Sequence, residues 1–137
     1  MTRVPNTPYA PISWGELIDK ITIIEIKLER LQAPDAQANA RREFDLLNDV
    51  LMQLTNPPAE LATLGSTLAA VNRRLWAIED DIRTKEASQE FDAEFIALAR
   101  AVYRNNDERS RIKRAINELL GSEIIEEKQY VGYRDAE

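Results

Sequence analysis

The stretch that decides the fold runs from residue 61 to residue 85 and reads LATLGSTLAAVNRRLWAIEDDIRTK. Apolar side chains recur in it every three or four positions: Leu61, Leu64, Leu68, Val71, Leu75, Ile78 and Ile82. This spacing places them on one face of an α-helix. The pattern therefore predicts a helix that belongs to the core along its whole length.

Start and stop signals divide the rest of the chain into three further helices. Ser13 and Glu16 have the spacing of a capping box, which predicts a helix over residues 13–31. A second helix is predicted over residues 36–54, after a proline that interrupts the chain. The last helix is predicted to start at Asp92, which would be its N-cap, and to end at Gly121.

These helices predict one all-α domain, a four-helix bundle of two antiparallel hairpins over residues 13–121. The link between the two long helices is short, so they are expected to pair directly, and the two shorter helices form the other hairpin. Residues 1–12 contain three prolines and are predicted as an extended N-terminal lead-in. Residues 122–137 are predicted as a C-terminal tail packed on the bundle.

Composition narrows the possible chemistry. The 137 residues include no cysteine and no histidine, which excludes disulfides, thiolate or imidazole metal sites, and Ser-His or Cys-His nucleophile pairs. The net charge of −6 argues against nucleic acid as a partner. The sequence shows neither a long apolar run nor a signal peptide, so no membrane is expected and a cytoplasmic location is predicted. No metal and no cofactor is predicted.

The apolar stripe of the last helix turns polar halfway along, where Asn105 and Arg109 interrupt it. With a turn near residue 89, both face the level of Asn72 on the preceding helix. A buried guanidinium needs an opposite charge, so one interpretation is an internal salt-bridge layer that fixes the register of the helices. The candidate carboxylates for that layer are Asp19, Glu25 and Glu79.

The other interpretation is a polar pocket for a small anionic ligand, such as a phosphorylated metabolite or a nucleotide. Side chains beside the apolar stripes of the two long helices would line this pocket. The predicted ligand-binding residues are Asn72, Trp76, Glu79, Tyr103, Asn106, Arg109 and Lys113. No catalytic residue is predicted.

The first helix carries isoleucines on two faces. Ile23 and Ile26 lie away from its main stripe, and a surface helix rarely shows such a second apolar line. Either a third neighbouring helix covers this line or it makes a subunit contact. We expect a homo-oligomer that forms through Ile23 and Ile26.

Polar as well as apolar residues form a distinctive pattern in residues 13–27 (SWGELIDKITIIEIK), 39–43, 71–72, 75–83, 99–103, 106–107 and 113–117. Together these segments resemble a family of small, mostly bacterial proteins, catalogued as domain of unknown function 6165. The resemblance implies a bacterial or phage source but no activity. The first helix alone is also similar to the first helix of helical chorismate mutases, through residues 18–21.

The sequence thus favours a non-catalytic binding module for a small anionic ligand or for a partner protein. One alternative is a small helical enzyme, either a mutase-like protein or a Mg²⁺-dependent nucleotide hydrolase. The hydrolase would need residues 79–81 (Glu-Asp-Asp) to converge with Glu25 and Glu29, whereas a solvated face with ion pairs explains the same residues. The other alternative is a structural oligomerisation protein.

Overall fold

The computed structural model describes residues 6–133, and these contain four α-helices and no strand. The helices are α1 (Trp14–Arg30), α2 (Pro34–Leu51), α3 (Glu60–Ala87) and α4 (Ala93–Leu120). The predicted all-α class is confirmed. None of the four helices combines the length and the apolar character needed to cross a bilayer.

The ends of α1 and α4 follow the predicted capping signals. The Ser13 hydroxyl accepts a hydrogen bond from the Glu16 N–H, and the Asp92 carboxylate accepts one from the Phe95 N–H. Gly121 adopts the left-handed conformation, with φ at 62°, and ends α4. The limits of α2 differ from the prediction: it begins at Pro34, since proline suits a first helical turn, and ends three residues before residue 54.

The core lies where three helices meet. Its buried cluster joins Ile18 of α1, Leu68 and Val71 of α3, and Ile112 and Ile116 of α4. The two hairpins of the prediction are present, but they meet through α1 alone. Helix α2 packs along α1, and its Cα atoms come within 8 Å of neither α3 nor α4.

The stripe of α3 reaches the core over most, but not all, of its predicted length. Leu68 and Val71 are fully buried, and Leu61, Leu64 and Leu75 are partly buried and pack against the same core. Ile78 and Ile82 are also partly buried, but they lie outside that core cluster. Helix α1 has 17 residues and is about 26 Å long, whereas α3 has 28 and is about 42 Å long. A single crossing by α1 therefore leaves the last turns of α3 outside the core cluster.

Helix α1 is buried by three neighbours, because α2, α3 and α4 all pack against it. Ile26 is 1% exposed within one chain, so it is not free to make the predicted subunit contact. Ile23 stays partly exposed. The homo-oligomer stays a prediction, and the structure removes Ile26 from the surface that was expected to form it.

Residues 122–133 form an extended tail that runs back along α4. The Glu126 and Glu127 carboxylates each lie 3.1 Å from a cation of α4, on Lys113 and Arg114 respectively. Further along, the Tyr133 hydroxyl donates a hydrogen bond of 2.7 Å to Asp107. Of the predicted segments, residues 1–5 and 134–137 lie outside the described residues.

Candidate functional site

A glycine lets the start of α1 touch the end of α4. A Cβ atom on Gly15 would overlap the backbone carbonyl oxygen of Lys113 and lie 2.9 Å from Asn117 Oδ1. In its absence, the Gly15 N–H donates a 2.6 Å hydrogen bond to that same Asn117 oxygen. Because the first N–H groups of a helix lack intrahelical partners, this contact also caps α1. The contact fixes the position of α1 against α4, and with it the position of the polar residues that follow Gly15 on α1.

Asp19 is the centre of the polar layer and is fully buried. Arg109 binds it with two nitrogens: Nε donates to Oδ1 at 2.9 Å, and Nη2 donates to Oδ2. The Asn72 amide donates to Asp19 Oδ1 at 3.0 Å and to the Thr22 hydroxyl at 2.8 Å. The carboxylate thus joins α1, α3 and α4, and it is one of the three partners that the sequence offered for Arg109.

Lys113 belongs to this buried layer, and it also lines a small opening of about 160 Å³ beside the tail. Its side chain is 7% exposed, and its Nζ lies 2.5 Å from Glu16 Oε2 and 3.1 Å from Glu126 Oε2. A third carboxylate, that of Asp19, is 3.9 Å away. Lys113 therefore ties the N-terminal turn of α1 and the tail to α4, and its role in ligand binding stays a prediction.

The charges of the layer stabilise one another. Burial raises the pKa of Asp19, but the hydrogen bonds from Arg109 and Asn72 and the charge of Lys113 outweigh burial, and the pKa ends below its usual value. Burial likewise lowers the pKa of Lys113, but Glu16 and Glu126 outweigh burial and raise it. Both groups are therefore charged at neutral pH.

Asn105 takes no part in the layer. Its side-chain oxygen accepts a hydrogen bond of 3.2 Å from Arg74 Nε, and Glu108 also binds Arg74, on an exposed side of the α3–α4 hairpin. The pairing of residue 74 with residue 105 fits the register expected from a turn near residue 89. The polar break in the α4 stripe thus consists of one buried ion pair at Arg109 and one surface contact at Asn105.

Five of the seven predicted residues line one open groove of about 540 Å³ beside α3. We call it the α3 groove. The five are Asn72, Trp76, Glu79, Asn106 and Arg109. Ile23 of α1 and Leu75 of α3 supply apolar surface in the same groove.

A second opening, of about 670 Å³, lies between α4 and the tail. We call it the tail cleft. Tyr103, Asn106 and Arg109 line it from α4, and Lys128, Tyr130 and Tyr133 line it from the tail. The sequence prediction missed the three tail residues. The only signal for them was a run of aromatic and apolar residues after Gly121, which located the tail but not the surface that it covers.

The two openings share Asn106 and Arg109, and both residues retain unused polar groups. Arg109 Nη1 makes no hydrogen bond with any side chain in residues 6–133, although Nε and Nη2 are engaged by Asp19. The side-chain amide of Asn106 is likewise without a partner among the described residues. Asp19 thus holds Arg109 in one orientation while leaving donors available to a ligand.

The carboxylates considered for Mg²⁺ do not converge. Glu29 is held by Arg73 through two hydrogen bonds of 2.7 Å, and Glu79 lies 3.5 Å from Arg83. Within the described part of the chain, no three acidic side chains lie close enough together to hold a metal ion. The arrangement therefore gives the hydrolase alternative no geometric support.

The model of a family of unknown function, DUF6165, matches residues 9–134, and the protein belongs to this family. The relationship predicted from its segments is thereby confirmed. Neither a curated protein nor a solved structure matches the chain.

Proposed function

We propose that this member of the DUF6165 family is a non-catalytic binding module, and that a small anionic ligand occupies the tail cleft. The observation that carries the proposal is the pair of cations in its walls. Arg109 keeps a free nitrogen there, and Lys128 has no carboxylate within ion-pair distance among the described residues. Guanidinium and ammonium donors bind phosphate or carboxylate with strong, charge-assisted hydrogen bonds.

The surroundings of the cleft increase its positive character. Arg104, next to it on α4, has two buried nitrogens, Nε and Nη2, with no hydrogen-bond acceptor in the described part of the chain. Asp107 is the acidic residue of the cleft, and its carboxylate accepts a hydrogen bond from the Tyr133 hydroxyl. Because Lys128 and Arg104 outnumber this one carboxylate, an arriving anion would meet a net positive charge.

Aromatic rings supply the apolar part of the same cleft. Tyr103 and Tyr133 pack edge to face with their centroids 4.9 Å apart, and Arg104 lies 5.6 Å from the Tyr133 ring centroid. Tyr130 is 73% exposed beside them. A ligand with an anionic group and a flat ring, such as a nucleotide, fits these walls better than a bare anion, because the rings provide a surface for stacking.

The test compares two lysines by isothermal titration calorimetry, with AMP and inorganic phosphate as the probes at constant ionic strength. Lys128→Gln should weaken AMP binding about tenfold, the loss expected when one charged hydrogen bond is removed. Lys27→Gln is the matched control, since Lys27 also lacks an ion pair within residues 6–133 but lies on α1, outside the cleft. It should bind like the wild type.

Two results would contradict the proposal. One is the absence of saturable binding of either probe to the wild-type protein. The other is an equal loss of affinity in both lysine variants, which would show a general effect of net charge. Arg109 is unsuited to this comparison, because replacing it also strands the buried Asp19.

A further inference from the structure

The α3 groove carries more acidic side chains than the tail cleft. Arg109 lines both openings and is paired with Asp19, and the remaining charged side chains of the groove are Glu79, Asp80 and Arg83. Apart from Arg109, the groove thus has two carboxylates, of Glu79 and Asp80, and one guanidinium, of Arg83. The Arg83 side chain is 79% exposed and lies 3.5 Å from Glu79. The groove therefore attracts a cation more than an anion.

One amide oxygen of the groove has no donor among the described residues. Asn72 is 5% exposed and lines the groove, and its Nδ2 donates to Asp19 and Thr22. The orientation of this amide is fixed by chemistry, since an ionised carboxylate accepts hydrogen bonds and cannot donate them. Asn72 Oδ1 consequently points elsewhere, and it accepts no hydrogen bond from any residue that the structure describes. Because this oxygen is not fully enclosed, an N–H group of a ligand in the groove can reach it.

Trp76 gives the groove an aromatic surface. It is partly buried, lies one turn beyond Asn72 on α3, and is joined in the groove by Ile23 and Leu75. A tryptophan face attracts organic cations through its ring electrons. We infer that the α3 groove is a second binding site, which takes an organic cation bearing N–H groups: its N–H donates to Asn72 Oδ1, its charge faces Glu79 and Asp80, and its apolar body packs on Trp76.

This inference does not depend on an anion in the tail cleft, because Lys128 lines only the cleft, whereas Glu79 and Asp80 line only the groove. They meet only at Asn106 and Arg109. The binding of one probe can therefore fail while the other succeeds. A molecule that carries both an anionic group and an amine could extend through the shared residues into both sites.

The test uses two probes of equal charge, benzylammonium and benzyltrimethylammonium, at constant ionic strength. Both offer a ring and a positive charge, but only the first has N–H donors. Fluorescence of Trp76 should change saturably with benzylammonium, and the quaternary probe should bind at least tenfold more weakly. In Trp76→Phe the fluorescence change should disappear, because the other tryptophan, Trp14, packs against the core elsewhere. Calorimetry measures the same affinities without relying on tryptophan.

Neighbouring carboxylates on α3 provide matched variants. Asp80 lines the groove and Asp81 does not, and both are exposed. Asp80→Asn should weaken benzylammonium binding severalfold, whereas Asp81→Asn should leave it unchanged. Equal binding of the two probes would overturn the role of Asn72. The absence of a saturable change, or equal effects of the two aspartate variants, would overturn the site itself.

Discussion

Replacing Arg109 by methionine tests the central feature of the fold, the buried pair between Arg109 and Asp19. Methionine keeps much of the side-chain length but removes the charge, so the fully buried Asp19 carboxylate is left without its main partner. Breaking a buried pair from one side costs roughly 3–5 kcal/mol. Asn72 still donates to Asp19, and Lys113 remains 3.9 Å from it, so we expect the lower end, about 3 kcal/mol.

The assay is urea denaturation followed by circular dichroism. With a slope of about 2 kcal/mol per molar urea, a loss of about 3 kcal/mol lowers the midpoint by about 1.5 M. Arg114→Met is the matched control, since Arg114 on the same helix pairs with Glu127 and Glu118 but is 49% exposed. Exposed ion pairs contribute between zero and about 1 kcal/mol, so this variant should stay close to the wild type.

A double variant separates charge from packing. In Asp19→Asn combined with Arg109→Met no buried charge is stranded, and we expect it to recover much of the stability lost in Arg109→Met. The reasoning is refuted if Arg109→Met unfolds within 1 kcal/mol of the wild type, on the scale of the control. It is also refuted if the double variant is no more stable than the single one, because the stranded carboxylate would then not be the cause.

Gly15→Ala should lower stability by roughly 1–3 kcal/mol in urea unfolding, because its Cβ would overlap the backbone of α4; an unchanged midpoint would contradict the close approach. The pKa of Asp19 is lower in the folded protein than its usual value of 3.8, so the ionised carboxylate stabilises the fold above that pH. This stabilisation is lost as the pH falls further and the carboxylate takes up a proton. Stability followed against pH should therefore fall more steeply in acid for the wild type than for Asp19→Asn, and parallel curves would argue against this. Val71→Asp should unfold the protein, whereas Ile82→Asp, at a partly buried site outside the core cluster, should keep most of its helix content by circular dichroism; equal losses would place both in the core. If the predicted oligomer forms through α1, native mass spectrometry should show a mass above the 15.7 kDa of one chain, and Ile23→Glu should reduce it to that mass.

Local signals in the sequence determined the four helices and most of their ends. The periodicity of α3, the hydroxyl of Ser13, the carboxylate of Asp92 and the glycine at 121 each act within a few turns of one helix. The short link after α3 also determined which residues of α3 and α4 lie at the same level. These features could be predicted because they depend on neighbours a few positions away.

Only the tertiary structure decided which groups meet across the bundle. Asp19 and Arg109 are 90 positions apart, and their contact depends on where α1 crosses the long hairpin. That crossing follows from the close approach at Gly15, which no periodicity reveals. It buries Lys113 among carboxylates, and it leaves the far half of α3 partly exposed. Charge and spacing identified Arg109 as needing a partner, but three carboxylates fitted the sequence equally well, and only the packing of helices distant along the chain selected Asp19.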